Sequence, residues 1–113
     1  MDRIIMKYKH DILFIKPYGN IMKTDINDFN YKVMPIIIKL DIKDVVLNME
    51  NVQKLDSALI DVLSSINYLI RKNNGRLVIC SLNKIYKKMF NRLNDEFVFN
   101  APNELSSMEV LKV

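Results

Sequence analysis

Val45-Val46-Leu47-Asn48-Met49-Glu50-Asn51-Val52-Gln53-Lys54-Leu55-Asp56-Ser57-Ala58 is the stretch whose reading decides the fold. Val45 to Met49 is a continuous apolar run between Asp44 and Glu50, interrupted only by Asn48, which suits a strand covered on both faces of a mainly parallel sheet. A polar crossing follows, and a helix is expected to open at Asp56-Ser57. Side-chain oxygens there accept backbone N–H groups that the first helical turn cannot pair for itself. Leu59, Val62, Leu63, Ile66, Leu69 and Ile70 then repeat at three- and four-residue steps, the apolar stripe of an amphipathic helix. Asn73-Asn74-Gly75 stops it, with Gly75 expected in the left-handed position after the helix. Leu77, Val78 and Ile79, continued by Cys80, form the next buried strand.

Upstream, Ile4, Ile5 and Met6 begin a strand. His10-Asp11 turns the chain into a second strand, Ile12 to Lys16, giving a hairpin. Pro17 and Gly19 interrupt the pattern before Ile21-Met22 resume it, and Gly19 can supply a bulge or a positive φ. Thr24 is expected to cap a helix bearing Ile26, Phe29 and Val33. Within it, Pro35 predicts a kink, or a break followed by a short piece from Pro35 to Leu40. Downstream, Asn83 opens a third helix whose Ile85, Tyr86, Met89, Phe90 and Leu93 face inward. Phe97 to Phe99 is the last strand, and Pro102 enters the first turn of a helix with Leu105, Met108 and Leu111. The order β-β-α-β-α-β-α-β-α predicts an α/β fold: a mixed, mostly parallel sheet with about four helices packed on it and an N-terminal β-hairpin. Residues 1–113 are expected to form a single domain.

Composition narrows the function. Seventeen basic and thirteen acidic residues leave a formal charge of +4. Lys84, Lys87, Lys88 and Arg92 are the densest cationic group, but no aromatic stacking platform accompanies them. They read as a solvated face before a nucleic-acid site. One cysteine, Cys80, cannot form an internal disulfide and reads as a buried structural thiol in a reducing cytoplasm. Charged and apolar residues alternate near the N-terminus, so no signal peptide is expected, and no run is long enough to cross a membrane. With one histidine, His10, and two glycines, Gly19 and Gly75, no triad, metal cluster or Gly-rich phosphate loop can be written. The chain is expected to be no enzyme and to need no cofactor or metal.

The residues from Val45 to Ser57 resemble the core of the STAS domain family, typified by bacterial anti-sigma factor antagonists. That family carries an apolar strand ending in Asp or Asn, then about seven residues around a central Val, then an apolar residue and Asp-Ser. Here these are Asn48, Val52, Leu55 and Asp56-Ser57. Gly75 to Ile79 is similar to the family's glycine-led strand, Ile85 to Leu93 to its third helix, and Phe97 to Leu111 to its last strand and helix. Gly19 falls where the family has a glycine before its first helix. The resemblance implies a binding switch. Ser57 would be the phospho-acceptor, Asp56 and Asn48 would shape its surroundings, and Ala58, Leu59 and Asp61 would join them in the docking surface. The implied partners are an anti-sigma factor with serine kinase activity and a serine phosphatase. The alternative is a phosphorylation-independent adaptor on a transporter ATPase or a signalling scaffold. The chain departs from the family after Ser57: Ala58-Leu59 stand where a small hydroxyl residue and Gly are usual, and Asp61 replaces another common Gly. Leu59 and Asp61 are expected to crowd or repel a kinase there.

Overall fold

The computed structural model describes residues 3–91 and 98–111. Five strands form one sheet in the order β1-β2-β3-β4-β5: Arg3–Lys9, Ile12–Tyr18, Asp44–Asn48, Leu77–Cys80 and Val98–Ala101. β1 and β2 are antiparallel, and every later pair is parallel. The helices are α1 (Ile26–Lys39), α2 (Leu59–Arg71), α3 (Lys87–Phe90) and α4 (Glu104–Val110). This is the expected order, sheet type and hairpin.

Strand alternation divides the core into two layers. Leu13, Ile15, Val45, Leu47, Leu77 and Ile79 face α1 and α2, where they meet Phe29, Val33, Ile37, Leu63, Ile66 and Ile70. Ile12, Phe14, Val46, Val78 and Cys80 face the other way and pack with Met108, Val110 and Leu111 around α4. Burial on both faces is why β3 and β4 read as unbroken apolar runs.

Turn chemistry fixes the ends of these elements. His10 and Asp11 both adopt positive φ (55° and 60°), the two-residue turn that matches the twist of a hairpin. β2 continues through Pro17 to Tyr18, beyond the expected end at Lys16. Its pairing with β3 stops at Ile15, so Pro17 lies in a two-stranded stretch where a missing N–H costs at most one ladder bond.

α1 is continuous from Ile26 to Lys39, so the break expected at Pro35 does not occur. Pro35 and Tyr31 are both exposed, and the Tyr31 carbonyl that Pro35 leaves unpaired can be hydrated. Thr24 does not cap α1. A 3-10 turn, Lys23–Asp25, precedes the helix, and Asp25 Oδ2 accepts the Met22 N–H at 2.8 Å.

At the end of α2 the left-handed residue is Asn74 (φ 61°), not Gly75. Asn74 N–H bonds to the Arg71 carbonyl and Gly75 N–H to that of Ile70, both within 2.9 Å, which is the Schellman arrangement. Gly75 is needed for space: a Cβ there would lie 1.8 Å from the Lys43 carbonyl oxygen. α1 ends the same way, on Asp41 at φ 48°.

Two apolar positions differ from expectation in the C-terminal part. Ile85 is 72% exposed and Leu105 71%, because the third helix is a 3-10 turn (Lys84–Tyr86) running into the single turn of α3, and α4 is only seven residues long. Asn103, rather than the Pro102 region, caps α4 by accepting the Ser106 N–H at 2.8 Å. Leu93 and Phe97 lie outside the described residues.

Candidate functional site

The loop from Met49 to Ala58 connects β3 to α2 at the C-terminal edge of the parallel strands, where α/β sheets place their sites. Val52 and Leu55 bury their side chains and pin it from below. From one side the chain after β2 runs alongside it. Gly19 N–H reaches the Asn51 carbonyl (3.1 Å), Ile21 N–H the Lys54 carbonyl (2.8 Å), and Asp56 N–H the Ile21 carbonyl (2.8 Å). Ile21 and Leu55 form a one-residue parallel bridge, which is all that remains of the strand expected at Ile21-Met22. Asn20 Oδ1 accepts the Lys54 N–H at 3.2 Å. Gly19 makes this approach possible with φ 92°, a conformation that a side chain would strain. From the other side the Tyr86 hydroxyl donates to the Gln53 carbonyl at 3.4 Å.

On this braced loop Asp56 and Ser57 form the turn ahead of α2, so the regular helix begins at Leu59, two residues later than expected. The Asp56 carboxylate accepts the Ala58 N–H at 2.9 Å. Leu59 and Ile60 N–H groups bond to the backbone carbonyls of Asp56 and Ser57. The capping chemistry therefore belongs to Asp56. Ser57 is exposed, and its hydroxyl has no hydrogen-bond partner among the described residues. Asp61 is exposed in the first turn of α2.

Two expected site residues lie elsewhere. Leu59 is fully buried in the α1–α2 layer, so its side chain neither offers a docking surface nor crowds a visitor. Asn48 shares the face of Val46, which is the α4 side of the sheet, whereas α2 and Ser57 stand on the side of Leu47. Its amide donates to Glu104 Oε2 (3.1 Å) and accepts the Glu50 N–H (3.0 Å). Asn48 fixes the start of the loop and the start of α4, and is no wall of the Ser57 site. Glu50 also pairs with Lys16, whose ammonium is held above its ordinary pKa chiefly by the hydrogen bond to Glu50.

Sequence reading missed Asn20, Ile21, Tyr86 and Glu104, all partners across long sequence separations. Only the Gly19-Asn20 pair carries a local signal, since Asn side chains commonly accept backbone N–H groups beside turns. Lys84, Lys87 and Lys88 are exposed around the third helix, as a solvated face would be, and Arg92 lies outside the described residues. Among the described residues no cluster of three His, Cys, Asp or Glu could hold a metal, and no helix is long and apolar enough to cross a membrane.

The STAS domain family matches residues 3–108. Among solved structures the chain is similar to the anti-sigma factor antagonist SpoIIAA in its unphosphorylated form, with a TM-score of 0.75 and 13% identity over 97% of this chain and 98% of that one. It is similar to the Bacillus cell fate determinant SpoIIAA in the phosphorylated form, with a TM-score of 0.74 and 12% identity over 96% and 99%. An anti-sigma factor antagonist from Mycobacterium paratuberculosis gives a TM-score of 0.84 and 10% identity over 98% and 94%.

Proposed function

The chain belongs to the STAS domain family, and from that premise we propose that it is an anti-sigma factor antagonist switched by phosphorylation of Ser57. The observation that carries the reading is the Ser57 hydroxyl: exposed, without a hydrogen-bond partner among the described residues, and standing on a loop braced from two sides at the mouth of α2. Such a hydroxyl can take a phosphate without disturbing a cap, because Asp56 already fills that role. The dipole of α2 tolerates the added charge, returning about 0.3–1 kcal/mol. A phosphate brings about −1.5 to −2 charges beside Asp56 and Asp61. Covering it in an interface without a cationic partner would cost several kcal/mol, and about 1.4 kcal/mol is already tenfold in affinity. Phosphorylation would thus release a partner while leaving the fold intact. The similarity of this backbone to both forms of SpoIIAA fits a switch of surface chemistry without a change of fold.

The partner in this reading is an anti-sigma factor with serine kinase activity, met in the cytoplasm and reset by a serine phosphatase. It docks on Asp56, Ser57, Ala58 and Asp61 at the opening of α2. Incubating the protein with its native cell extract and radiolabelled ATP tests the reading. Label is expected on wild type and lost in Ser57→Ala; no label, or undiminished label in the variant, removes the switch.

A second reading, a phosphorylation-independent adaptor on a transporter ATPase or signalling scaffold, draws on exposed Asp61, which repels a phosphate or a phosphate donor in the first turn of α2. Under that reading a Ser57→Asp protein binds its partner as tightly as wild type.

A further inference from the structure

α4 packs over β3, β4 and β5, its end reaching Ile12 and Phe14 of β2, and leaves the same face of β1 and of β2 beyond Phe14 without a helix among the described residues. Strand alternation turns Arg3, Ile5, Lys7 and Lys9 of β1 and Phe14, Lys16 and Tyr18 of β2 to this side. Together with Glu104, most of them line a shallow groove of about 170 Å³. Half-buried Ile5 and Tyr18 lie among the cations, and Phe14 is buried beneath them. The Arg3 guanidinium lies 4.5 Å from the centre of the Tyr18 ring, and the Lys9 ammonium 5.3 Å from that of Phe14.

The charge on this face is unbalanced. Lys16 is taken by Glu50, and Glu104 accepts the Asn48 amide. Arg3, Lys7 and Lys9 are exposed and meet no carboxylate among the described residues. Lysines on an edge strand guard against pairing with another sheet, and Lys7 and Lys9 do that. Edge protection does not call for a half-buried Ile5 and a half-buried Tyr18 ring between the cations. Two strands about 4.8 Å apart, with their side chains, offer roughly the 10 Å width of one helix. α4 itself shows that this face accepts a helix.

We propose that the uncovered face of the β1–β2 hairpin docks an acidic amphipathic helix of a partner protein, lying beside α4. Its apolar stripe would rest on half-buried Ile5 and Tyr18 and on the methylene stems of Lys7 and Lys9, and its carboxylates would meet Arg3, Lys7 and Lys9. A single-stranded nucleic acid suits the face less well, since stacking needs open rings and Phe14 is 5% exposed beneath Lys9. The surface lies on the opposite side of the sheet from α2, so it would engage its partner independently of Ser57.

The test titrates the isotope-labelled full chain with a capped peptide of about 18 residues, five helical turns, with Leu on one face and Glu on the other. Amide shifts are expected along β1, β2 and the start of α4, and not along α2. Lys7→Glu/Lys9→Glu should weaken binding at least about tenfold, Lys7→Gln/Lys9→Gln less, and Ser57→Ala not at all. Should the charge-reversed protein fail to fold, the Gln variant carries the comparison. Four results would each overturn the proposal: no binding at millimolar peptide, shifts centred on α2, equal binding of a peptide with Lys in place of Glu, or equal binding of an oligothymidine of matched charge.

Discussion

Whether Ser57 is held for structure or free for function can be decided by comparing Asp56→Ala with Ser57→Ala. In Asp56→Ala the carboxylate that accepts the Ala58 N–H at 2.9 Å is lost, while the Leu59 and Ile60 N–H groups keep their backbone carbonyl partners. One cap bond is therefore removed, worth about 1 kcal/mol. Asp56 is only half-buried, so water can reach the freed N–H and the cost should not climb much higher. In Ser57→Ala nothing comparable is lost, because the hydroxyl has no partner among the described residues and the side chain is exposed. Its effect should stay within about 0.5 kcal/mol. Urea unfolding followed by circular dichroism resolves the two. With a slope of about 1–3 kcal/mol per molar, Asp56→Ala should lower the midpoint by roughly 0.3–1 M. Ser57→Ala should leave it within a few tenths of a molar. A Ser57→Ala loss equal to that of Asp56→Ala would refute the reasoning, since the hydroxyl would then be a structural cap and its exposure no argument for a switch.

Gly75→Ala should destabilise the fold by about 2–4 kcal/mol, the sum of overpacking against the Lys43 and Ile70 carbonyls and a weakened Gly75–Ile70 hydrogen bond. Asn74→Gly should be neutral or slightly stabilising, because Asn74 holds the left-handed position; thermal unfolding of the pair checks both signs. Asn67 on α2 is 6% exposed, and its Oδ1 is buried with no partner among the described residues. Asn67→Leu should gain about 1 kcal/mol in the same assay, and a loss would mean that the site needs a polar group. Burial pushes the Cys80 thiol above its ordinary pKa, against weaker opposing bonds from Ser107 and Ser81. Native protein at pH 8 should resist Ellman's reagent while urea-unfolded protein reacts. The sign for stability follows: the contribution of the protonated thiol is complete below the unfolded value of about 8.5 and is lost as pH rises from there through the raised folded value. Cys80→Ala should flatten that alkaline decline.

Local chemistry by itself settled the order of elements. β3 and β4 announce themselves as apolar runs, α2 by its stripe from Leu59 to Ile70, and the hairpin by His10-Asp11, because period and turn residues act over a few positions. The opening of α2 near an exposed Ser57 was legible for the same reason, since a helix start is read from residues in contact along the chain. What the sequence could not decide is which groups meet across the fold. Asn48 adjoins the Ser57 loop in sequence yet faces Glu104 on α4, because a strand sends neighbouring side chains to opposite layers. Gly75 reads as a left-handed cap, but the backbone of Lys43, 32 positions away, is what forbids it a side chain. Leu59 follows Ser57 by two residues and still turns into the core. Among the described residues α4 covers β3 to β5 and no helix covers the cations of β1, which spacing along the chain does not reveal. Spacing along the chain fixes periodicity; only closure of the sheet fixes which face is buried, and against what.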